Sequence, residues 1–386
     1  MKVFINHYSI ISALGSGLVE TRNNLFAGVS PGMTLTDKYS PGNPIHLGLV
    51  KDELPSLANF PIKHRSRNNQ LLLAALNQLD DQFRHQLEGV DKSRVAVIIG
   101  SSTSGISEEE EAFPSFVQNG KFPDSFDLTQ RLFCSPANFL ADSLGVTGPV
   151  YGISTACTSS AKAIASAARL LKTGMVDLVI AGGADSLCKF TVAGFNAIES
   201  ISSDRCNPLS VNRSGINIGE GAAIFVMSRD HAHISLSGWG ESSDGYHISA
   251  PDPNGIGPAL AINSALKMAG KNQAQIEYIN LHGTATYQND LMEATLVAKL
   301  EFQSFVSSTK SLSGHTLGAA GAIEAAICCL TLTDEGRLPP HIWDGQQDPM
   351  LPVLKLANIL ASPPKVVMSN NFAFGGNNTS LILETV

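Results

Sequence analysis

Cys157 lies in the run Tyr151-Gly-Ile-Ser-Thr-Ala-Cys-Thr-Ser-Ser160, where an apolar, strand-like segment gives way to an alanine-rich helical stretch. A helix N-terminus presents unpaired N–H groups and a partial positive charge. Both favour the thiolate, the nucleophilic form of cysteine. Two histidines lie far downstream. His282 opens His282-Gly-Thr-Ala-Thr286, and His315 sits in Lys310-Ser-Leu-Ser-Gly-His-Thr-Leu-Gly318. Each follows a strand-like segment in a Gly/Thr-rich loop, where α/β folds place their sites. Taken singly these residues say little, because a buried cysteine is usually a small hydrophobe and a lone histidine is usually structural. A helix-start cysteine together with two loop histidines points to covalent acyl chemistry.

Two further segments could serve that chemistry. Lys310 has small, uncharged neighbours, which suits a semi-buried role as well as a surface one. Asn371-Phe-Ala-Phe-Gly-Gly-Asn377 sets two phenylalanines beside two glycines between strand-like runs. It reads either as an aromatic hairpin or as a loop whose backbone N–H binds an oxyanion while Phe374 shields the thiol.

The elements that must position these residues alternate between strand and helix. Arg94–Gly100 reads as a buried strand, Asp177–Ala181 as a short strand ended by Gly182-Gly183, and Gly219–Ser228 as a glycine turn feeding another strand. Ala161, Ile164, Ala165, Ala168 and Leu171 keep helical spacing,. The acidic run Ser107–Ala112 reads as a solvated helix face. The pattern then restarts: helix over Asn254–Gly270, strands over Ile276–Leu281 and Phe305–Ser308, an alanine-rich helix over Gly318–Leu332, and strands over Val366–Asn370 and Ser380–Glu384. In both parts a strand leads through Ser-Thr (154–155, 308–309) to an alanine-rich helix. This echo implies an internally duplicated α/β fold, residues 1–232 and 233–386, with two buried helices between two sheets and outer helices beyond.

Composition narrows the class. The 386 residues are 43% hydrophobic and 16% charged, with 34 glycines, which fits a compact α/β enzyme,. A net charge of −8 argues against general nucleic-acid binding,. Met1–Ile10 does not read as a signal peptide, and no apolar stretch approaches the ~18 residues of a membrane span. The six cysteines follow no framework spacing and include no CxxC pair, so reduced thiols in a cytoplasmic protein are expected, without a cysteine zinc site,.

Together, Ser-Thr-Ala-Cys157, His282-Gly-Thr-Ala-Thr286 with Asp290 and Glu293, Lys310 through Glu324, and Asn371-Phe-Ala-Phe-Gly-Gly376 resemble the β-ketoacyl-[acyl-carrier-protein] synthases, of the elongating Cys-His-His type. Ala181-Gly-Gly-Ala184, Asn207-Pro and Gly219-Glu-Gly-Ala222 match too. Asn212–Gly219 looks most like the synthases of bacterial aryl-polyene pigment clusters. The resemblance implies a thiolase fold, five-layered α-β-α-β-α, with Cys157 in the N-terminal half and both histidines in the C-terminal half. It implies that Cys157 takes an acyl group from carrier-protein phosphopantetheine, with the N–H groups of Cys157 and Phe374 as oxyanion hole. His282 and His315 would stabilise the enolate left when malonyl-carrier protein loses CO2. Lys310 and Glu324 would hold the histidines, and Thr284 and Thr286 would bind the pantetheine arm. No cofactor or metal is required, although Asp290, Glu293 and Asn289 could form a structural cation site.

The chain departs from the family at Asn207-Pro-Leu-Ser210, at Glu199 in place of an arginine near the carrier entrance, at Ala373, and at Thr103 in place of a bulkier aliphatic gate. Phe374, Thr103 and Phe195 are expected to line the acyl pocket. Lys63, Arg65 and Arg67, the densest basic cluster, are expected to dock the acidic acyl carrier protein. A homodimer is the default assembly and a heterodimer with a chain-length-factor-like subunit the alternative. Competing readings are a cysteine acyltransferase or hydrolase, which leaves Lys310 and the second histidine unexplained, and a non-catalytic chain-length partner, which the intact Cys157 disfavours.

Overall fold

The computed structural model describes residues 2–358, 360 and 362–386. Its first half contains β1 (Phe4–Ser12), β2 (Gly15–Ser16), the hairpin β3 (Met33–Thr36) and β4 (Ile45–Gly48), and β5 (Val95–Gly100), β6 (Val150–Ile153), β7 (Leu178–Asp185) and β8 (Gly221–Ser228). Its second half contains β9 (Ile234–Ser243), β10 (Tyr278–Asn280), β11 (Phe305–Ser307), β12 (Val366–Phe372) and β13 (Asn377–Thr385). The helices are α1 (Leu18–Ala27), α2 (Arg67–Leu76), α3 (Asp81–Glu88), α4 (Ile106–Asn119), α5 (Ser135–Leu144), α6 (Ser159–Thr173), α7 (Lys189–Ala197), α8 (Ile256–Ala269), α9 (Tyr287–Lys299), α10 (Lys310–Ser313) and α11 (Ala320–Leu332).

The strand order is β1-β8-β7-β5-β6 in the first half and β9-β13-β12-β10-β11 in the second. The last three strands of each series are parallel, and the first two are antiparallel to their neighbours. The duplication seen faintly in sequence is therefore a repeat of topology. The two sheets are continuous rather than separate: β1 pairs with β9 at Phe4–Ser235 and Ile5–Ile234.

Alternation along the strands builds three apolar layers. On β5, Ala96 and Ile98 face the central core while Val95, Val97 and Ile99 face an outer one. Such two-sided burial is why parallel strands read as unbroken apolar runs. The central layer holds α6 and α11, which pack on strands of both half-sheets. Gly321 allows their close approach, since a Cβ there would lie 2.6 Å from the Cβ of Ala161. Helices α2 and α5 cover the outer face of the first half, and α8 and α9 that of the second. This is the five-layered arrangement of the thiolase fold.

Two local expectations change. Gly182 and Gly183 do not end β7, which continues to Asp185. They permit close packing instead: a Cβ on Gly183 would lie 2.5 Å from the Ser160 Cβ, at the start of α6. The acidic run is not merely a solvated face. Glu108 accepts from the Arg67 N–H at 2.8 Å, and Glu110 accepts from the N–H groups of Lys189 and Phe190 at the start of α7.

Candidate active site

Cys157 sits on the elbow between β6 and α6, two residues before the helix begins. Ala156 bends the chain there with φ 53°, a strained value for a residue with a Cβ,. The surrounding hydroxyls are satisfied locally. Thr155 N–H donates to Ser159 Oγ at 2.9 Å, Ser159 Oγ donates to Ala156 O at 2.6 Å, and Thr158 Oγ1 donates to Thr155 O at 2.7 Å.

His315 follows α10 and is held by its backbone against the first half. Its N–H donates to Asn217 O at 2.6 Å, and Gly219 N–H donates to its carbonyl at 2.9 Å. His282 follows β10. On α9, Glu293 accepts from the His282 and Gly283 N–H groups at 2.9 and 2.8 Å. Asp290 accepts from Leu209 N at 2.7 Å and Ala285 N at 3.2 Å. Asp290 and Glu293, considered with Asn289 for a cation, brace the backbone, since both carboxylates are turned onto amides. Burial pushes Glu293 up to about 7.

These elements converge. His315 Nε2 lies 3.0 Å from Cys157 Sγ, and the two imidazoles meet edge-on at 85° with centroids 5.4 Å apart. The sulfur and one ring nitrogen of each histidine lie within 4.8 Å of one another. The Phe374 N–H is directed at the Cys157 sulfur, which sets it beside the place where the carbonyl oxygen of a thioester formed there would lie,. Lys310 Nζ donates to His282 O at 2.5 Å and to Glu324, and lies 3.5 Å from His282 Nδ1. Asn371, near the end of β12 and with no role foreseen from sequence, donates to the other Glu324 oxygen.

The electrostatics alter one expectation. Burial pushes the Cys157 thiol up to about 12, outweighing the positive charge of Lys310 and the Phe374 N–H. The helix end alone does not hold a thiolate in the closed cleft. Burial, then the charge of Lys310, holds both histidines well below the usual imidazole range, so both are neutral near pH 7. A neutral His315 can exchange a proton with the adjacent thiol. The donor that Lys310 offers to His282 Nδ1 leaves that ring's proton on Nε2.

The cleft is lined by Thr284, Thr286 and Phe195, as expected, and also by Ser249, Pro251 and Gln288, which no sequence motif marked. Thr284 and Thr286 hydroxyls lie 2.9 Å apart. The Phe195 and Phe374 rings stand 5.7 Å apart. The cavity is about 40 Å³, enough for about two or three waters. An acyl-pantetheine arm therefore requires this aromatic pair or its loop to move.

Two groups expected at the pocket or the docking surface take other partners. Thr103 does not line the cleft; it is buried with its hydroxyl donating to Asp185 at 2.8 Å. The Lys63–Arg67 cluster is largely consumed internally. Arg67 forms a fork with the buried Glu220 at 2.7 and 2.6 Å, Arg65 donates to the carbonyls of Phe60 and Ala58, and Lys63 pairs with Asp142 at 3.1 Å. Side chains that look free in a basic run find acceptors only once the fold assembles. Glu199 is exposed, with φ 53°.

Comparison with known proteins agrees with this geometry. Residues 60–233 match the family model "Beta-ketoacyl synthase, N-terminal domain", and residues 233–343 match "Beta-ketoacyl synthase, C-terminal domain". The chain is 30% identical to 3-oxoacyl-[acyl-carrier-protein] synthase 2 of Vibrio cholerae, over 99% of both chains. It is 33% identical to nodulation protein E of Rhizobium meliloti, over 88% of both. Among solved structures, the ketosynthase (ApeO) in complex with its chain length factor (ApeC) from Xenorhabdus doucetiae superposes with a TM-score of 0.95 at 42% identity, covering 100% of this chain and 98% of that one. With Cys157, both histidines and the Lys310–Glu324 pair brought together, the chain belongs to the beta-ketoacyl synthase family.

Proposed function

We propose that this chain catalyses the decarboxylative Claisen condensation of malonyl-carrier protein with an acyl or polyenoyl chain held on Cys157. The approach of Cys157 Sγ and both imidazoles to within 4.8 Å carries the reading. In the first step the Cys157 sulfur attacks the acyl thioester of a carrier protein, its proton passing by way of His315 to the departing pantetheine thiol. Thioester exchange keeps the acyl group activated. The Cys157 and Phe374 N–H groups offer the oxyanion hole, in which loss of one donor typically lowers the rate about 10²–10³-fold. In the second step malonyl-carrier protein enters along Thr284 and Thr286 and loses CO2. His282 and His315 donate to the enolate oxygen, the enolate carbon bonds to the acyl carbonyl, and the bond to Cys157 sulfur breaks. The released sulfur takes a proton, and the product leaves on the carrier, two carbons longer.

The resemblance of Asn212–Gly219 to aryl-polyene synthases supports a polyenoyl substrate. No cofactor beyond the carrier's own phosphopantetheine enters this scheme. The second subunit is a copy of this chain or a chain-length-factor-like partner. Half-exposed β6 at the sheet edge and the 42% identity to a ketosynthase solved with its chain length factor support such pairing. The six cysteines are free thiols, which suits the reducing cytoplasm,. Among the described residues no helix is long and apolar enough to cross a membrane.

The test is mass spectrometry of Cys157 after incubation with acyl-carrier proteins, followed by addition of malonyl-carrier protein. The expected result is a Cys157 acyl adduct that disappears as CO2 and a β-ketoacyl-carrier product form. An adduct that hydrolyses without chain extension would indicate an acyl hydrolase instead.

A further inference from the structure

Asp185 ends β7 with its side chain fully buried, and no step of the reaction above uses it. Its carboxylate accepts from Ser101 Oγ at 2.7 Å, Ser102 N at 2.9 and 3.0 Å, Thr103 N at 2.9 Å, Thr103 Oγ1 at 2.8 Å and Gly318 N at 2.6 Å. Two of these donors belong to segments that lead directly to the reacting groups. Ser102 Oγ donates to the carbonyl of Ala156 at 3.2 Å, and Ala156 is the strained residue preceding Cys157. Gly318 follows His315 by three residues and lies in the short turn Leu317–Ala319 that starts α11.

The joint is tight. A Cβ on Gly318 would lie 2.7 Å from Ser102 N and 2.8 Å from Asp185 Oδ2, so the residue there must lack a side chain for the two loops to meet on one carboxylate. It also crosses the molecule: Ala156, Ser102 and Asp185 belong to the first half and Gly318 to the second. Cys157 and His315 are divided in the same way, yet their 3.0 Å contact must be kept. We propose that Asp185 is a positioning residue that fixes the Cys157–His315 separation by clamping both loops.

The physical case rests on charge and on exclusion of water. Bonds from N–H and O–H groups to an ionised acceptor are stronger than those between neutral partners. A buried carboxylate has no solvent to compete for those donors. An asparagine of the same shape would turn an NH2 group towards one of the donors now served by an oxygen, leaving donor facing donor. The joint explains the buried Thr103 as well, since its N–H and hydroxyl are part of the clamp.

The inference rests on the condensing reading, but iodoacetamide alkylation of Cys157 reports the nucleophile's setting without any condensing substrate. The full chain, with its partner subunit if one is required, is compared as wild type, Asp185→Asn and Asp185→Glu. In Asp185→Asn, kcat for condensation should fall about tenfold to a hundredfold, as expected when reacting groups are displaced. KM for malonyl-carrier protein should stay within about twofold, and Asp185→Glu should recover part of the loss by restoring the charge. The clamp is overturned if Asp185→Asn retains wild-type kcat, if the change falls on KM, or if Asp185→Glu does no better than Asn. Should Asp185→Asn fail to fold, Ser102→Ala decides. It keeps the carboxylate's backbone donors and removes only the link to Ala156, so alkylation of Cys157 should shift about fivefold while Tm falls by no more than about 2–4 °C. Wild-type alkylation in Ser102→Ala would overturn the inference. A wild type that alkylates at Cys157 but does not condense would instead refute the functional reading.

Discussion

His315 Nε2 lies 3.0 Å from the Cys157 sulfur, although 158 residues separate them in sequence. The contact joins the two halves of the fold. Cys157 is carried by the β6–α6 elbow, while the backbone of His315 is laid beside Asn217–Gly219. Their neutral forms complement each other, a high-pKa thiol beside an imidazole held deprotonated by burial.

The pH dependence of Cys157 labelling follows from that pair. Burial raises the thiol to about 12, so the protonated form dominates near neutrality and the thiolate fraction grows tenfold per pH unit below that value,. The rate of iodoacetamide modification should still be climbing at about pH 9. A plateau near pH 7 would show that the helix end and His315 keep the sulfur ionised after all.

The histidines should separate by step. His282→Ala should lower malonyl decarboxylation by about 10²–10³, as loss of an enolate donor does, while acyl transfer onto Cys157 largely survives. His315→Ala should slow both steps, because His315 alone of the two rings is hydrogen-bonded to the sulfur. Release of CO2 and the mass of the Cys157 peptide measure the steps independently. Condensation at the native rate in His315→Ala would remove it from the mechanism.

Lys310 and Glu324 form an ion pair with both side chains about 2% exposed. Lys310→Met should strand a buried carboxylate and cost about 3–5 kcal/mol of stability. Adding Glu324→Gln should return much of the Tm without restoring decarboxylation, because His282 has lost the donor at Nδ1. Recovery of activity along with Tm would reduce the pair to a purely structural role.

The basic cluster should divide in the same fashion. Arg67→Ala breaks a fork onto the fully buried Glu220 and should lower Tm and turnover of every substrate, carrier-bound or small,. Lys63 is about half exposed and, among the described residues, pairs with an exposed aspartate, so Lys63→Glu should raise KM for the acyl-carrier substrate in a salt-dependent way,. A small thioester analogue should be turned over normally by Lys63→Glu. If it is not, Lys63 too belongs to the fold.

Local pattern in the sequence marked the residues that meet in the cleft, in combination rather than singly, through the resemblance their motifs carry together. The Ser-Thr-Ala-Cys157 turn before an alanine-rich helix, the loop histidines and the Phe374 glycine loop each have a short-range signature. So has the two-sided apolar run of Val95–Gly100, because a parallel strand must be buried on both faces wherever it is placed. The repeat of strand order was visible only as an echo, since topology outlasts residue identity.

What tertiary structure decided was partnership. Whether a charged side chain is a docking contact or a brace depends on which acceptor the fold brings within 3 Å, and for Arg67 that is Glu220, 153 positions away. Thr103 likewise finds Asp185, and Asp290 and Glu293 find backbone amides. The ionisation of Cys157 was beyond sequence for the same reason. Desolvation is a property of the assembled core, and here it outweighs the local field of the helix that the sequence reveals,.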